Sequence, residues 1–188
     1  RQLRIKLLSF RMILRFKKGG PLTAFFNALF FLGGILFATN VHGQDLQLMF
    51  YNVENLFDTI DDPLKFDEDF TPAGKLEYTA DRYDQKQENL SRVINAAFGK
   101  ETVDILGLCE VENKEVLIDL KAKLDNSALE IVHVNSADGR GIDNALMYNT
   151  EMFELREAGV RNVDLGKDER PTRDILWVHL VHKDTKED

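Results

Sequence analysis

Leu46-Gln47-Leu48-Met49-Phe50-Tyr51-Asn52 is a short apolar run with one polar interruption, which suits a buried strand better than a helix. The next two segments decide the fold. Asp84–Lys100 sets Leu90, Val93, Ile94, Ala97 and Phe98 at i, i+3, i+4, i+7 and i+8, one apolar face of a helix, and Gly99 is placed to end it. Val103–Cys109 (VDILGLC) then reads as a second buried strand. Strand, helix, strand is a crossover, so the two strands are expected to be parallel neighbours. Asn113 can cap a second helix in which Leu117, Leu120 and Leu124 share a face. Leu129–Val134 and Asn144–Tyr148 read as strands on either side of a polar Gly-rich turn, Ser136–Gly141, and Glu154–Asp164 and Asp174–Leu180 add further strands suited to antiparallel pairing. The fold class is therefore α/β, a mixed sheet with helices packed on it. Residues 58–83 show no period and read as a long surface loop. Asp61, Asp62 and Asp67–Asp69 within it read as a solvated acidic face, because the Gly and terminal Glu of a Ca²⁺-binding loop are absent.

The chain has 188 residues, 44% hydrophobic and 30% charged, which excludes wholesale disorder, collagen and coiled coil. Cys109 is the single cysteine, so no disulfide framework forms within the chain. A net charge of −8 hides an asymmetry. Residues 1–43 carry seven basic side chains and no acidic one, which leaves 17 basic against 32 acidic residues for 44–188. Such a domain does not coat nucleic acid by its own charge; a polyanion must be met locally or through a cation. The apolar stretch Leu22–Ala38 comes after the basic block, and Val41-His42-Gly43 offers a cleavage site after Gly43. This order reads as a secretory signal over 1–43, with an uncleaved N-terminal membrane anchor as the alternative, because the run is near the roughly 20 residues that span a bilayer. The acidic domain, 44–188, is then exported to the periplasm or beyond the cell. It touches the membrane only through its N-terminal segment, and we expect a monomer.

In open α/β sheets ligands gather beyond the carboxyl ends of the strands. The first strand exits through Asn52 and the second through Glu110, so parallel neighbours bring both to one edge. An amide oxygen and a carboxylate are hard ligands, suited to Mg²⁺, with Mn²⁺ or Ca²⁺ as alternatives. The competing reading is that an Asn or Glu after a strand forms a turn or caps a helix. Asn113 fits a cap better than a ligand.

Phe50–Asp58 (FYNVENLFD) together with Asp104–Asn113 (DILGLCEVEN) resembles the opening half of the endonuclease/exonuclease/phosphatase superfamily. Ser136–Tyr148 resembles the strand lining its site, and Pro171–Leu176 the segment with a basic residue before the next strand. The resemblance implies a deoxyribonuclease-like four-layer α/β sandwich, here cut after its first half. It also implies that Asn52 and Glu110 are the metal-site and catalytic residues. Arg140, Asn144 and Arg173 are candidate substrate-binding residues; either arginine could hold a phosphate oxygen, or could pair at the surface with Asp138, Asp143 or Asp174. The family's later His-bearing, Asp-x-Asn and Ser-Asp-His elements match nothing after Leu180, so the 188-residue chain itself is expected to be inactive. The implied function is a divalent-metal-dependent phosphoesterase, an exported nuclease-like hydrolase acting on a phosphate ester such as a nucleic acid, an inositol phosphate or a phospholipid. The alternative is an exported acidic module that binds cations or a basic partner without catalysis.

Overall fold

Burial alternates along the first strand of the domain: Gln47, Met49, Tyr51 and Val53 are buried while Leu48, Phe50 and Asn52 are less so, the two-residue period of a strand with one face on a core. The computed structural model describes residues 4–8, 11–16, 46–166 and 171–185. In chain order the strands and helices are β1 (Arg4–Leu8), β2 (Arg11–Phe16), β3 (Leu46–Leu56), α1 (Ala80–Ala96), β4 (Ile105–Val111), α2 (Lys114–Ala122), β5 (Leu129–His133), β6 (Asp143–Asn149), β7 (Phe153–Arg161) and β8 (Ile175–His182). A single 3-10 turn, Glu68–Phe70, interrupts the long loop before α1.

The strands form a six-stranded mixed sheet in the order β1-β2-β3-β4-β6-β5 and a two-stranded sheet, β7-β8. As the crossover required, β3 and β4 run parallel, with Asn52 beside Cys109. β6 is antiparallel to both β4 and β5. Leu90 and Ile94 of α1 and Val116, Leu117 and Leu120 of α2 pack on Met49, Tyr51, Leu106, Leu108 and Met147. On the other face Val132, Tyr148 and Phe153 gather Leu146, Leu176, Val178 and Leu180, so the small sheet covers the large one. The described residues thus form three layers: helices, sheet, sheet.

Three sequence expectations shift. α1 starts at Ala80, not Asp84, because Tyr83 already packs on the helix-side core. β3 and β4 run on to Leu56 and Val111, beyond the expected ends at Asn52 and Cys109. The 58–83 loop is not merely a surface loop, for Phe57, Tyr78 and Ile142 form a small core beneath it, with the Phe57 and Phe70 rings stacked at 4.1 Å. The apolar run Leu22–Ala38, on which the export reading turns, lies outside the described residues, whereas Arg4–Leu8 and Arg11–Phe16 from the basic block ahead of it are β1 and β2 of the sheet. Among those described, no helix is long and apolar enough to cross a membrane.

A buried carboxylate fixes the register at the start of β4. Asp104 accepts from the Gln47 N–H at 3.0 Å and from Asn149 Nδ2 at 3.1 Å, while its backbone bonds Gln47 and Asn149 as well. Asp104→Ala strands both donors in the interior, and buried donors left unpaired cost on the order of 1–3 kcal/mol each. We expect this substitution to lower unfolding free energy by about 3 kcal/mol in urea denaturation, and Asp104→Asn, which keeps an acceptor, to cost less.

Candidate functional site

A regular strand presents the same face only at every second residue, so consecutive side chains cannot both look into one cleft. β4 breaks that rule at its end. Leu108 and Val111 are both fully buried in the helix-side core, although they are three positions apart. The pairing to β6 slips between Cys109 and Val111, which sit opposite Asn144 and Asp143. Cys109 and Glu110 are therefore displaced together away from the helices, a β-bulge, with Glu110 at φ 67°. β3 has a matching irregularity: its pairing slips between Asn52 and Leu56, and Glu54 and Asn55 stand at φ 56° and 61°.

The consequence is a row of side chains across three strands. Asn52, Cys109 and Asn144 are direct neighbours in the register, so they share the face opposite the helices, and Glu110 joins them through its bulge. One step down the same face, Phe50 lies over Gly107, where a Cβ would come within 2.8 Å of the ring. β3 and β4 thus turn from apolar to polar at their carboxyl ends, where they meet the start of the antiparallel β6, as ligand sites in α/β sheets do.

Asn52 Oδ1 accepts the Glu54 N–H at 2.7 Å, which uses one of its two lone pairs. Glu110 is half-buried, with Arg173 Nη1 3.6 Å from its Oε1. Arg173 therefore meets Glu110, and not the Asp138, Asp143 or Asp174 that its sequence neighbourhood offered. Arg140 does take the surface pairing. Its guanidinium forks Asp138 through Nε and Nη2 at 3.0 and 2.6 Å. Burial alone would raise the Asp138 carboxyl, but the Arg140 bonds outweigh it and hold the group below its usual range. Asn144 Nδ2 donates to the Asp174 carbonyl at 2.6 Å, which fastens the entry to β8. Asn52, Glu110 and Asn144 thus stand at neighbouring strand ends with Arg173 reaching Glu110, while Arg140 is engaged by Asp138 in the turn before β6.

Burial pushes the Cys109 thiol up, against the pull of Arg173. His133 is bound to Asp143 at 3.1 Å with both side chains buried, an ordinary structural pair. The acidic loop is not uniformly solvated, for Asp67 is only 2% exposed. Its Oδ2 accepts from the Asp62 N–H at 3.1 Å, and burial raises its carboxyl.

Among the described residues no group of three or more His, Cys, Asp and Glu side chains converges on a metal position. A hard cation that fills most of its positions with water and substrate needs only one or two carboxylates. The pair of Asn52 and Glu110 therefore fits Mg²⁺ or Mn²⁺ and not a structural zinc.

Behind the bulges lies a network that sequence patterns do not announce. The Glu112 N–H donates to the Leu56 carbonyl, and Glu112 Oε2 accepts the Asp58 N–H at 2.6 Å. Asp58 Oδ2 accepts from Asn113 Nδ2, and Asn113 Oδ1 caps α2 at the Val116 N–H, as its position before the helix implied. Burial first, then the charges of Asp58, Asp67 and Asp62, push the Glu112 carboxyl up to about 8. The clue lay in Asp58 closing the first motif segment and Glu112 standing next to last in the second, but pairing between chain positions 54 residues apart leaves no periodic trace.

The sequence profile of the endonuclease/exonuclease/phosphatase family matches residues 47–186. No curated protein matches the chain. Among solved structures it is similar to an endonuclease/exonuclease/phosphatase family protein from Bacteroides thetaiotaomicron, with 21% identity and a TM-score of 0.41 over 55% of this chain and 37% of that one. It is also similar to a mannosyl-6-phosphatase of Bacteroides thetaiotaomicron VPI-5482, with 23% identity and a TM-score of 0.44 over 55% and 39%. A third is an endonuclease/exonuclease/phosphatase from Bacteroides vulgatus, with 15% identity and a TM-score of 0.45 over 73% and 47%. The chain spans less than half the length of each of these.

Glu112→Ala removes the acceptor that joins the two strand ends. We expect it to cost about 1–3 kcal/mol in urea denaturation, as an unpaired buried donor does, with Glu112→Gln recovering most of that loss.

Proposed function

The chain belongs to the endonuclease/exonuclease/phosphatase family, and on that premise we propose that it carries the cation-holding edge of an exported, divalent-metal-dependent phosphoesterase. The observation that carries the proposal is the meeting at two parallel strand ends of Asn52, which lies beside Cys109, and Glu110, which follows Cys109 in the bulge. Their oxygens would hold one Mg²⁺ or Mn²⁺. When bound there, the cation supplies a Lewis acid that offsets negative charge on the phosphate ester as water attacks.

The chain's own residues set the surroundings. Arg173 approaches Glu110 without a close hydrogen bond, which leaves guanidinium donors for a non-reacting phosphate oxygen. Arg140 is a substrate-binding residue through its outer edge, since Asp138 holds its inner fork while the side chain stays 58% exposed. Asn144 acts by position, holding the Asp174 backbone so that Arg173, one residue earlier, faces the site. His133, buried against Asp143, is not placed to take a proton from water.

An acidic domain can reach an anionic substrate by this means, because the cation adds positive charge where Arg140 and Arg173 already offset Asp138 and Glu110. The substrate class is a phosphate ester, nucleic acid among the options. Support for export comes from the order of basic block, apolar run and small-residue site over residues 1–43.

The direct test is Glu110→Ala in the whole protein, assayed with bis(p-nitrophenyl) phosphate in Mg²⁺. We expect hydrolysis to fall by about a hundred- to a thousandfold, the scale of losing a principal electrostatic group, with the melting temperature essentially kept. Unchanged turnover removes Glu110 from the mechanism.

A further inference from the structure

Two consecutive non-glycine residues in the left-handed region are costly, on the order of 1 kcal/mol or more each, and persist only where their surroundings hold them. Glu54 and Asn55 form such a pair, two residues beyond Asn52. Glu54 is exposed and Asn55 half-buried, between the buried Val53 and Leu56. Among the described residues β2 pairs with β3 as far as Phe50, and a cleft of about 690 Å³ opens between Tyr51–Glu54 and the Arg82, Gln85 and Asn89 side of α1. Lys86, on α1, lines that cleft. Lys86 Nζ donates to the Glu54 carbonyl at 2.5 Å and to the Asn55 carbonyl at 2.9 Å.

The geometry points to Lys86 as a positioning residue that fixes the direction of the Asn52 amide oxygen by tying the strained 54–55 turn to α1. The inference rests on the reading of Asn52 as a cation ligand. The chain of bonds is short. Lys86 holds the carbonyls of two successive peptides, 54–55 and 55–56, and the Glu54 N–H is the donor that orients Asn52 Oδ1. Burial lowers the Lys86 ammonium while the charges of Glu54 and Glu110 draw it up. The ammonium therefore sits in the field of the same carboxylate that would share the cation.

That proximity gives the test a sign. As a mere positive charge, Lys86 repels a cation, and its removal would tighten metal binding. As a clamp, its removal loosens Asn52 and weakens binding. Mn²⁺ titrations read from the signal of the free ion, on the whole protein and its Lys86→Met, Lys86→Arg and Asn52→Ala variants, separate the two. We expect Lys86→Met to raise the Mn²⁺ dissociation constant by about tenfold, the usual effect of losing a group that orients a ligand. Lys86→Arg, which keeps charge and paired donors, should restore binding. Amide exchange measured at Glu54 without metal should accelerate in Lys86→Met and not in Lys86→Arg. Lys86→Gln replaces Lys86→Met if that variant does not fold. Equal or tighter Mn²⁺ binding in Lys86→Met, or an unchanged Glu54 exchange rate, overturns the inference. If Asn52→Ala leaves Mn²⁺ binding untouched, the metal reading fails by itself, and Glu54 exchange alone decides whether Lys86 is a clamp.

Discussion

The alternation of strand side chains is the constraint on which this site depends. A sheet that packs helices on one face must send every second residue into that core, and Leu106 and Leu108 obey it with no exposed surface. Continued without a break, the same rule would turn Glu110 toward α1 and α2. The bulge at Cys109–Glu110 resets the phase, so that Val111 returns to the core and Glu110 does not. Chemistry and packing are reconciled by one extra residue.

Bulges cost ladder hydrogen bonds and backbone strain, and the neighbouring polar groups offset both. Glu112, Asp58 and Asn113 link the ends of β3 and β4 to the start of α2. Lys86 bonds the strained carbonyls from the side of α1. These groups lie half-buried, where a hydrogen bond is stronger than in open water and an unmet one more costly. Asp104 plays a similar part at the other end of the same strands, where register is set. Asp104 thus ties β3, β4 and β6 at one end, the Glu112 carboxyl joins β3 to β4 at the other, and the apolar middle packs between them.

Much of the fold was legible, because apolar periodicity is a local signal. The β3–α1–β4 crossover, the Asn113 cap and the later strands can be read from spacing alone. Boundaries moved where tertiary contacts decided them: Tyr83 draws α1 back to Ala80, and the bulges carry β3 and β4 past Asn52 and Cys109. Asn52 and Glu110 could be picked from their places at the strand exits and from the motif resemblance. Their common face could not be read from alternation, which a bulge overrides. Arg140 was open between substrate and surface pairing, and it is engaged by Asp138. The contact of Arg173 with Glu110 and the reach of Lys86 to the 54–55 turn join residues 63 and more than 30 positions apart, with no repeating pattern to announce them.

The central claim is that two phase-shifted strand ends deliver an amide oxygen and a carboxylate oxygen to a single hard cation. Anomalous diffraction from crystals of the whole protein soaked in Mn²⁺ addresses it most directly. We predict one Mn²⁺ bonded to both Asn52 Oδ1 and a Glu110 carboxylate oxygen. An ion bound by other side chains, with Asn52 and Glu110 left uncoordinated, would contradict it.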